Sequence, residues 1–175
     1  GFINPQKIAA GFFLKKGMKI ADFGSGSGYF TILIAKIVGE SGLVTAVDIM
    51  ETALHTVRAK TKSEDLKNID AVRSDLEVLD GSGLKDKSQD MVLLANILFE
   101  SSKKENIIRE SRRVLKPNGQ LIVIDWKKGV WGFGPPDDLR TDNQKMKEMV
   151  NGLGFEFSSD IDAGLFHYGM IFIRK

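Results

Sequence analysis

Apolar positions along the chain switch between a two-residue and a helical period, so that short β-like runs trade places with amphipathic stretches. Met18–Phe23, Leu43–Asp48 and Ile69–Arg73 read as strands, and Tyr29–Val38 and Glu51–Lys62 between them as helices, a βαβαβ order. Beyond a linker containing Asp80-Gly81-Ser82-Gly83, Asp90–Asn96 reads as a strand, Lys103–Leu115 as a helix and Gln120–Trp126 as a strand. Lys116-Pro117-Asn118-Gly119 is the expected turn between the last two, because proline cannot continue the helix and Gly119 can supply a positive φ. Met91–Ala95 and Leu121–Ile124 are unbroken apolar runs, the pattern of central parallel strands covered on both faces. An α/β, Rossmann-like, doubly wound sheet follows.

The C-terminal part changes character at Gly129–Pro136, which is too rich in Gly and Pro for helix or central strand and reads as a loop. Thr141–Leu153 is the next helix, with Thr141 as its cap and Asp142 in its first turn. Phe155–Ser159 and His167–Ile173 are joined by a connection too short for a crossover helix, so the final strand is expected to run antiparallel. With no repeat or internal linker, the expectation is one domain. Within it, 1–16 is an N-terminal helix or lid segment, 17–128 a cofactor-binding core, 129–140 a lid loop, and 141–175 a C-terminal helix with a β-hairpin.

Composition narrows the chemistry. The 175 residues include no Cys, which excludes disulfides, thiolate zinc sites and a cysteine nucleophile, and the two histidines, His55 and His167, are too few for a histidine-based metal centre. No metal is expected. The net charge of +2 is spread over short basic groups, Lys15-Lys16, Arg112-Arg113 with Lys116, and Lys127-Lys128, read as solvated ends and turns. Nucleic acid is therefore not an expected partner. No apolar run approaches the length of a membrane span, and Gly1-Phe2-Ile3-Asn4 carries no charged-then-apolar leader, so the expected protein is soluble and cytoplasmic, a monomer or homodimer.

The densest chemical signal is Asp22-Phe23-Gly24-Ser25-Gly26-Ser27-Gly28, where the first strand turns into the first long helix. Alternate glycines leave bare backbone for a ligand to approach at a helix amino end. The dinucleotide fingerprint G-x-G-x-x-G fails in both registers, at Tyr29 and at Thr31, and no Walker Gly-Lys-Ser/Thr follows. Asp48 closes the second strand, where a carboxylate can accept both hydrogen bonds of a ribose diol, and Asp75 follows the third on the same sheet edge, placed for an adenine amine. Each acid by itself also suits a helix cap or a solvated loop.

Asp22-x-Gly24-x-Gly26-x-Gly28, Asp48 and Asp75-Leu76 resemble the class I S-adenosylmethionine-dependent methyltransferases over nearly the whole chain. Arg113-Val114-Leu115-Lys116-Pro117-Asn118-Gly119-Gln120-Leu121 looks like the helix-to-strand connection of the branch that includes ubiquinone and menaquinone biosynthesis methyltransferases. The resemblance implies seven strands in the order 3-2-1-4-5-7-6 with strand 7 antiparallel, and S-adenosyl-L-methionine as cofactor. By residue it implies that Asp22 and the backbone of Gly24, Ser25, Gly26 and Gly28 hold the methionine moiety. Asp48 would take the ribose, Ile49 the adenine face, Asp75 the adenine amine and Leu76 an N–H contact, with Asn96 beside the sulfonium. Phe99 stands where the branch often has His.

Methyl transfer needs alignment and exclusion of water more than covalent help. If the last strand runs backwards, His167 and Tyr168 begin it on the cofactor edge, making His167 the candidate base, against the alternative of a surface histidine. Asp125-Trp126 is expected at the same mouth. Trp131 and Phe133 either form a lid over it or cap the core edge. Arg140 either binds an anionic acceptor or makes a surface ion pair, and His55 faces solvent. The expected function is methylation of a small-molecule acceptor at O, C or N. The alternatives are a catalytically silent cofactor-binding protein, or a methyltransferase acting on protein or RNA.

Overall fold

The computed structural model describes residues 4–175. Residues 1–3, with which the expected N-terminal segment and the leaderless stretch begin, lie outside the described residues. The strands are β1 (Lys19–Phe23), β2 (Leu43–Asp48), β3 (Ile69–Arg73), β4 (Gln89–Ala95), β5 (Leu115–Trp126), β6 (Phe155–Ile161) and β7 (His167–Arg174). They form one sheet in the order β3-β2-β1-β4-β5-β7-β6. β1 to β5 pair in parallel, and β7 is antiparallel to both β5 and β6, as the short hairpin connection requires. The chain winds outward from β1 to β3 and then returns to β4 on β1's other side. The carboxyl ends of β1 and β4 therefore flank a crevice at the point where the order reverses.

The helices are α1 (Pro5–Ala9), α2 (Tyr29–Val38), α3 (Glu51–Ser63), α4 (Lys104–Val114) and α5 (Asn143–Asn151). Alternation along each strand divides the core in two. Ile20, Met91, Leu93, Ile122, Ile124 and Ile171 pack on Phe12 and on Phe30, Ile34 and Val38 of α2, while Ala21, Phe23, Leu94, Val123, Met170 and Phe172 pack on Ile107, Ile108, Met146 and Val150 of α4 and α5. Ile8 and Ala9 of α1 join the first cluster, so the described part of the N-terminal segment is anchored on α2.

Most boundaries fall within one or two residues of those expected, and two local readings are corrected. β5 begins at Leu115: the stretch 116–119 is a bulge inside the strand rather than a turn before it, and the register slips between Gln89 and Met91 of β4. The positive φ is on Asn118, at 65°, not on Gly119; asparagine tolerates the left-handed region, and Pro117 has no N–H to place in the ladder. The cap of α5 is Asp142 rather than Thr141, its carboxylate accepting from the N–H groups of Gln144 and Lys145.

Within the basic group Arg112-Arg113, Arg113 is largely withdrawn from solvent and Arg112 is half-buried. Arg113 donates to the buried Glu110 carboxylate at 2.7 Å and to Asp86 at 2.6 Å, and Glu110 also accepts from Ser82 Oγ at 2.6 Å and from the N–H groups of Asp80 and Ser82. Burial pushes the Glu110 carboxyl up, but these donors together outweigh it and leave it below the usual carboxylate range. Arg112 donates to the carbonyls of Gly154 and Lys175.

Candidate active site

The glycine turn is fixed from both sides. Gly24 and Ser25 donate their N–H groups to the Val47 carbonyl of β2 at 2.7 and 3.2 Å, and Gly26 N–H donates to Asp48 Oδ2 at 2.9 Å. Asp48 Oδ1 accepts from Met50 N–H at 2.9 Å, so one carboxylate ties the turn to the start of α3. At Gly24, φ is 72° and a Cβ would stand 2.2 Å from Ile97 Cγ2, so bare backbone is obligatory where this turn meets the loop after β4. Gly28 serves differently from the expectation. It caps α2 at φ 88°, where a Cβ would come within 2.9 Å of Val57, and it lies outside the cleft. Its bare Cα lets α2 and α3 approach.

A cleft of about 580 Å³ runs along the carboxyl edge, and it gathers Gly24, Ser25, Gly26, Asp48, Ile49, Asp75, Leu76 and Asn96 from four different strand ends. Ile49 is 53% exposed and forms one wall, with the buried Leu76 also facing the cleft. Asp75 Oδ1 accepts from Glu77 N–H at 2.9 Å, an Asx turn that fixes the loop. The sequence reading missed Glu77, Glu100 and Ser101. Ser101 donates to Glu77 at 2.7 Å, and the Glu100 carboxyl is raised, by burial first and by Asp48 second. The only signal for Glu100 was its place five residues beyond the end of β4. No Lys or Arg lines this cleft among the described residues, which suits an uncharged or cationic ligand and disfavours a pyrophosphate.

A second cavity of about 640 Å³ shares Gly24, Ser25, Tyr29, Ala95 and Asn96 with the first and adds Pro5, Asp22, Phe30 and His167. Asp22 is 2% exposed and accepts from Thr31 Oγ1 of α2 at 2.6 Å. Burial pushes its carboxyl up to about 6, Thr31 opposing and Asp48 reinforcing the shift. Asn96 holds a left-handed φ of 59°, and its Oδ1 is buried without a hydrogen-bond partner; His167 Nε2 is in the same condition. His167 is 3% exposed, and burial, with Arg140 and Lys127 nearby, pushes its imidazole down to about 4. It is uncharged at neutral pH and a weaker base than the optimum for proton abstraction there.

Strand alternation separates the expected neighbours. β5 and β7 pair Trp126 with His167 and Asp125 with Tyr168. His167 lies on the α2 side, so Tyr168 points to the opposite face, where it is buried and its hydroxyl donates to the Thr141 carbonyl at 3.0 Å. Tyr168 is thus a core residue, not a catalytic candidate. Asp125 is likewise not at the mouth: it accepts from Trp126 N–H at 2.8 Å and Phe99 N–H at 3.2 Å, holding the short turn Leu98–Glu100, with burial pushing it up to about 6.

Trp126 packs on His167 with ring centroids 4.1 Å apart and the planes tilted by 40°. Arg140 lies over the Trp126 ring at 5.4 Å and donates to the carbonyls of Lys127, Val130, Phe133 and Pro135. Neither an anion site nor a surface ion pair, Arg140 is a buried clasp that folds the 127–135 loop around one guanidinium. Trp131 at the loop tip is 77% exposed, and Phe133 meets Phe166 edge-on. His55 is exposed on α3, as read. Among the described residues no group of three His, Cys, Asp or Glu is placed to hold a metal ion.

Residues 14–163 match the family described as Methyltransferase domain. The chain is 33% identical over 115 residues to the ubiquinone/menaquinone biosynthesis C-methyltransferase of Shewanella pealeana, covering 65% of this chain and 45% of that protein. It is 32% identical over 127 residues to the protein of the same name from Haemophilus ducreyi, covering 72% and 47% respectively. The chain thus spans a little under half the length of these relatives. Among solved structures, a SAM dependent methyltransferase from Aquifex aeolicus superposes with a TM-score of 0.90 at 28% identity, over 99% of this chain and 91% of that one.

Proposed function

Because the chain belongs to the methyltransferase-domain family and is a class I S-adenosylmethionine-dependent member of it, we propose that the cleft and the second cavity are its two halves of one reaction site, passing a methyl group to a small-molecule acceptor. The observation that carries this reading is the junction: both spaces are lined by Gly24, Ser25, Tyr29, Ala95 and Asn96, so a ligand in one adjoins a ligand in the other. The curated relatives are named as C-methyltransferases, which favours carbon as the methylated atom.

The residues fit the cofactor. Asp48 and Asp75 offer acceptors for ribose hydroxyls and the adenine amine, Ile49 and Leu76 supply apolar walls, and the acidic cleft suits a ligand carrying a sulfonium. When bound, the cofactor supplies an electrophilic methyl group. Asp22 and the Gly24–Gly26 backbone would hold its methionine end, and Ala95 and Asn96 would stand where the cleft meets the second cavity. Phe30, buried against α2's core, would give the acceptor side an apolar wall. His167 stands as a neutral hydrogen-bonding group in that wall. The 129–140 loop, clasped by Arg140, acts as the outer cover of this wall.

Calorimetric titration with S-adenosylhomocysteine tests the cofactor half. Binding in the micromolar range, weakened at least tenfold by Asp48→Ala, is expected; absence of binding to the unaltered protein overturns it.

A further inference from the structure

A third cavity, of about 520 Å³, lies at the opposite edge of the sheet from the reaction site and shares no lining residue with it. Asp86 and Lys87 precede β4, Leu153 and Gly154 precede β6, Arg112 and Arg113 stand in the last turn of α4 before β5, and Arg174 ends the antiparallel β7. All of them therefore meet at the amino ends of the parallel strands. We propose that this cavity is a binding site for a small molecule carrying a phosphate monoester, held by Lys87, Arg109, Arg112 and Arg174.

Charge comes first. Lys87, Arg109, Arg112, Arg113 and Arg174 line the cavity against a single carboxylate, Asp86. Arg113 takes up Asp86 and also pairs with Asp80 and Glu110. None of the ion pairs among the described residues involves the other four cations. With all three side-chain carboxylates counted, the cluster still holds a surplus of two positive charges, equal to the formal net charge of the whole chain. A phosphate monoester is close to a dianion at neutral pH and matches that surplus.

The cations are both accessible and held. Lys87 and Arg109 are exposed, and Arg112 and Arg174 are half-buried. Gly154 has a φ of 94°, and a Cβ there would stand 2.2 Å from Arg112 Nε, so only bare backbone lets the Arg112 side chain lie where it does. Arg112 donates through Nε and Nη2 to the carbonyls of Gly154 and Lys175, and Arg174 through Nη1 to those of Arg112 and Leu115. These bonds fix both guanidinium groups and leave Arg112 Nη1 and Arg174 Nε and Nη2 without a partner among the described residues. Fixed planar groups with N–H to spare suit the oxygens of a phosphate. Burial first and the Arg112 charge second push the Arg174 guanidinium down, a like-charge contact that a bound anion relieves. Leu79 and Leu153 add apolar surface for the remainder of the molecule.

The test is calorimetric titration of the whole protein with phenyl phosphate, with benzenesulfonate, which has a similar shape and one charge fewer, and with vesicles containing phosphatidic acid. Phenyl phosphate is expected to bind about tenfold more tightly than benzenesulfonate and to weaken as NaCl is added. Lys87→Gln combined with Arg109→Gln removes two exposed cations that make no ion pair, so the urea midpoint should stay unchanged while phenyl phosphate weakens about tenfold. Lys15→Gln combined with Lys16→Gln removes the same charge from another exposed place and should leave the affinity as it was. No binding of phenyl phosphate, equal binding of benzenesulfonate, equal weakening by the two double variants, or binding to the vesicles alone overturns the proposal. Binding of S-adenosylhomocysteine, measured on the same proteins, reports separately on the reaction site.

Discussion

Two buried carboxyl groups, one on a helix and one at a strand end, have opposite fates. Glu110, on α4, receives five donors from Ser82, Asp80 and Arg113, and its carboxyl lies below the usual range. Asp22, at the carboxyl end of β1, receives one donor, Thr31, and is pushed up to about 6. The same burial is compensated in one place and left uncompensated in the other. Asp22 lines a cavity with Asn96 and His167, whereas the Glu110 network is closed on itself. A closed network holds a fold together, and unmet polar groups along a cleft hold places open for a ligand.

Removing the guanidinium from the closed network breaks the comparison most severely. Arg113→Ala leaves Glu110 as a buried, unpaired charge and should lower the unfolding free energy in urea by about 3–5 kcal/mol. The loss should shrink as pH falls below the normal range of a glutamate: a depressed carboxyl stabilises the fold above its unfolded pKa, and that contribution disappears as the group protonates. Equal stability of variant and parent near pH 7 would mean the network contributes nothing.

Asp22→Asn sharpens the other side, with the sign reversed. A carboxyl raised from 3.8 to about 6 costs the folded state as pH rises through that window, and the cost is complete above it. The variant should therefore be more stable than the parent near pH 7.5, by about 3 kcal/mol, with the gain fading towards pH 4. It should also bind S-adenosylhomocysteine more weakly. Urea unfolding across this range checks the first statement and calorimetry the second.

A smaller effect is expected at the clasp. Arg140→Lys removes the planar fork that reaches four carbonyls and should cost about 1–2 kcal/mol. Faster proteolytic cleavage within 129–136 would report it, and unchanged cleavage would show that the loop holds its shape without the guanidinium.

The fold was legible because its signals are local. The apolar runs at Met91–Ala95 and Leu121–Ile124 became the central strands β4 and β5, and the short link before His167 foretold the antiparallel β7. The cleft was legible as far as strand ends and loop acids are, and Asp48, Asp75 and the Gly24–Gly26 turn meet there. Parity was readable but overlooked. Adjacent residues of a strand face opposite ways, so His167 and Tyr168, or Trp126 and Asp125, cannot both enter one pocket. Gly28 belongs to the spaced motif, yet its position is required by Val57 of α3, a contact no local pattern reveals. Arg140 and Glu110 were beyond reach for the same reason: their partners are backbone groups and side chains of distant segments that only the folded chain brings together.

The most direct test of the central claim, that the unmet carboxyl edge is a cofactor and acceptor site, is a crystal structure of the protein with S-adenosylhomocysteine. The account predicts the ribose on Asp48, the adenine between Ile49 and Leu76, and the sulfur beside Asn96, facing the cavity that ends at His167. A ligand bound elsewhere, or the sulfur turned away from Asn96, would contradict it.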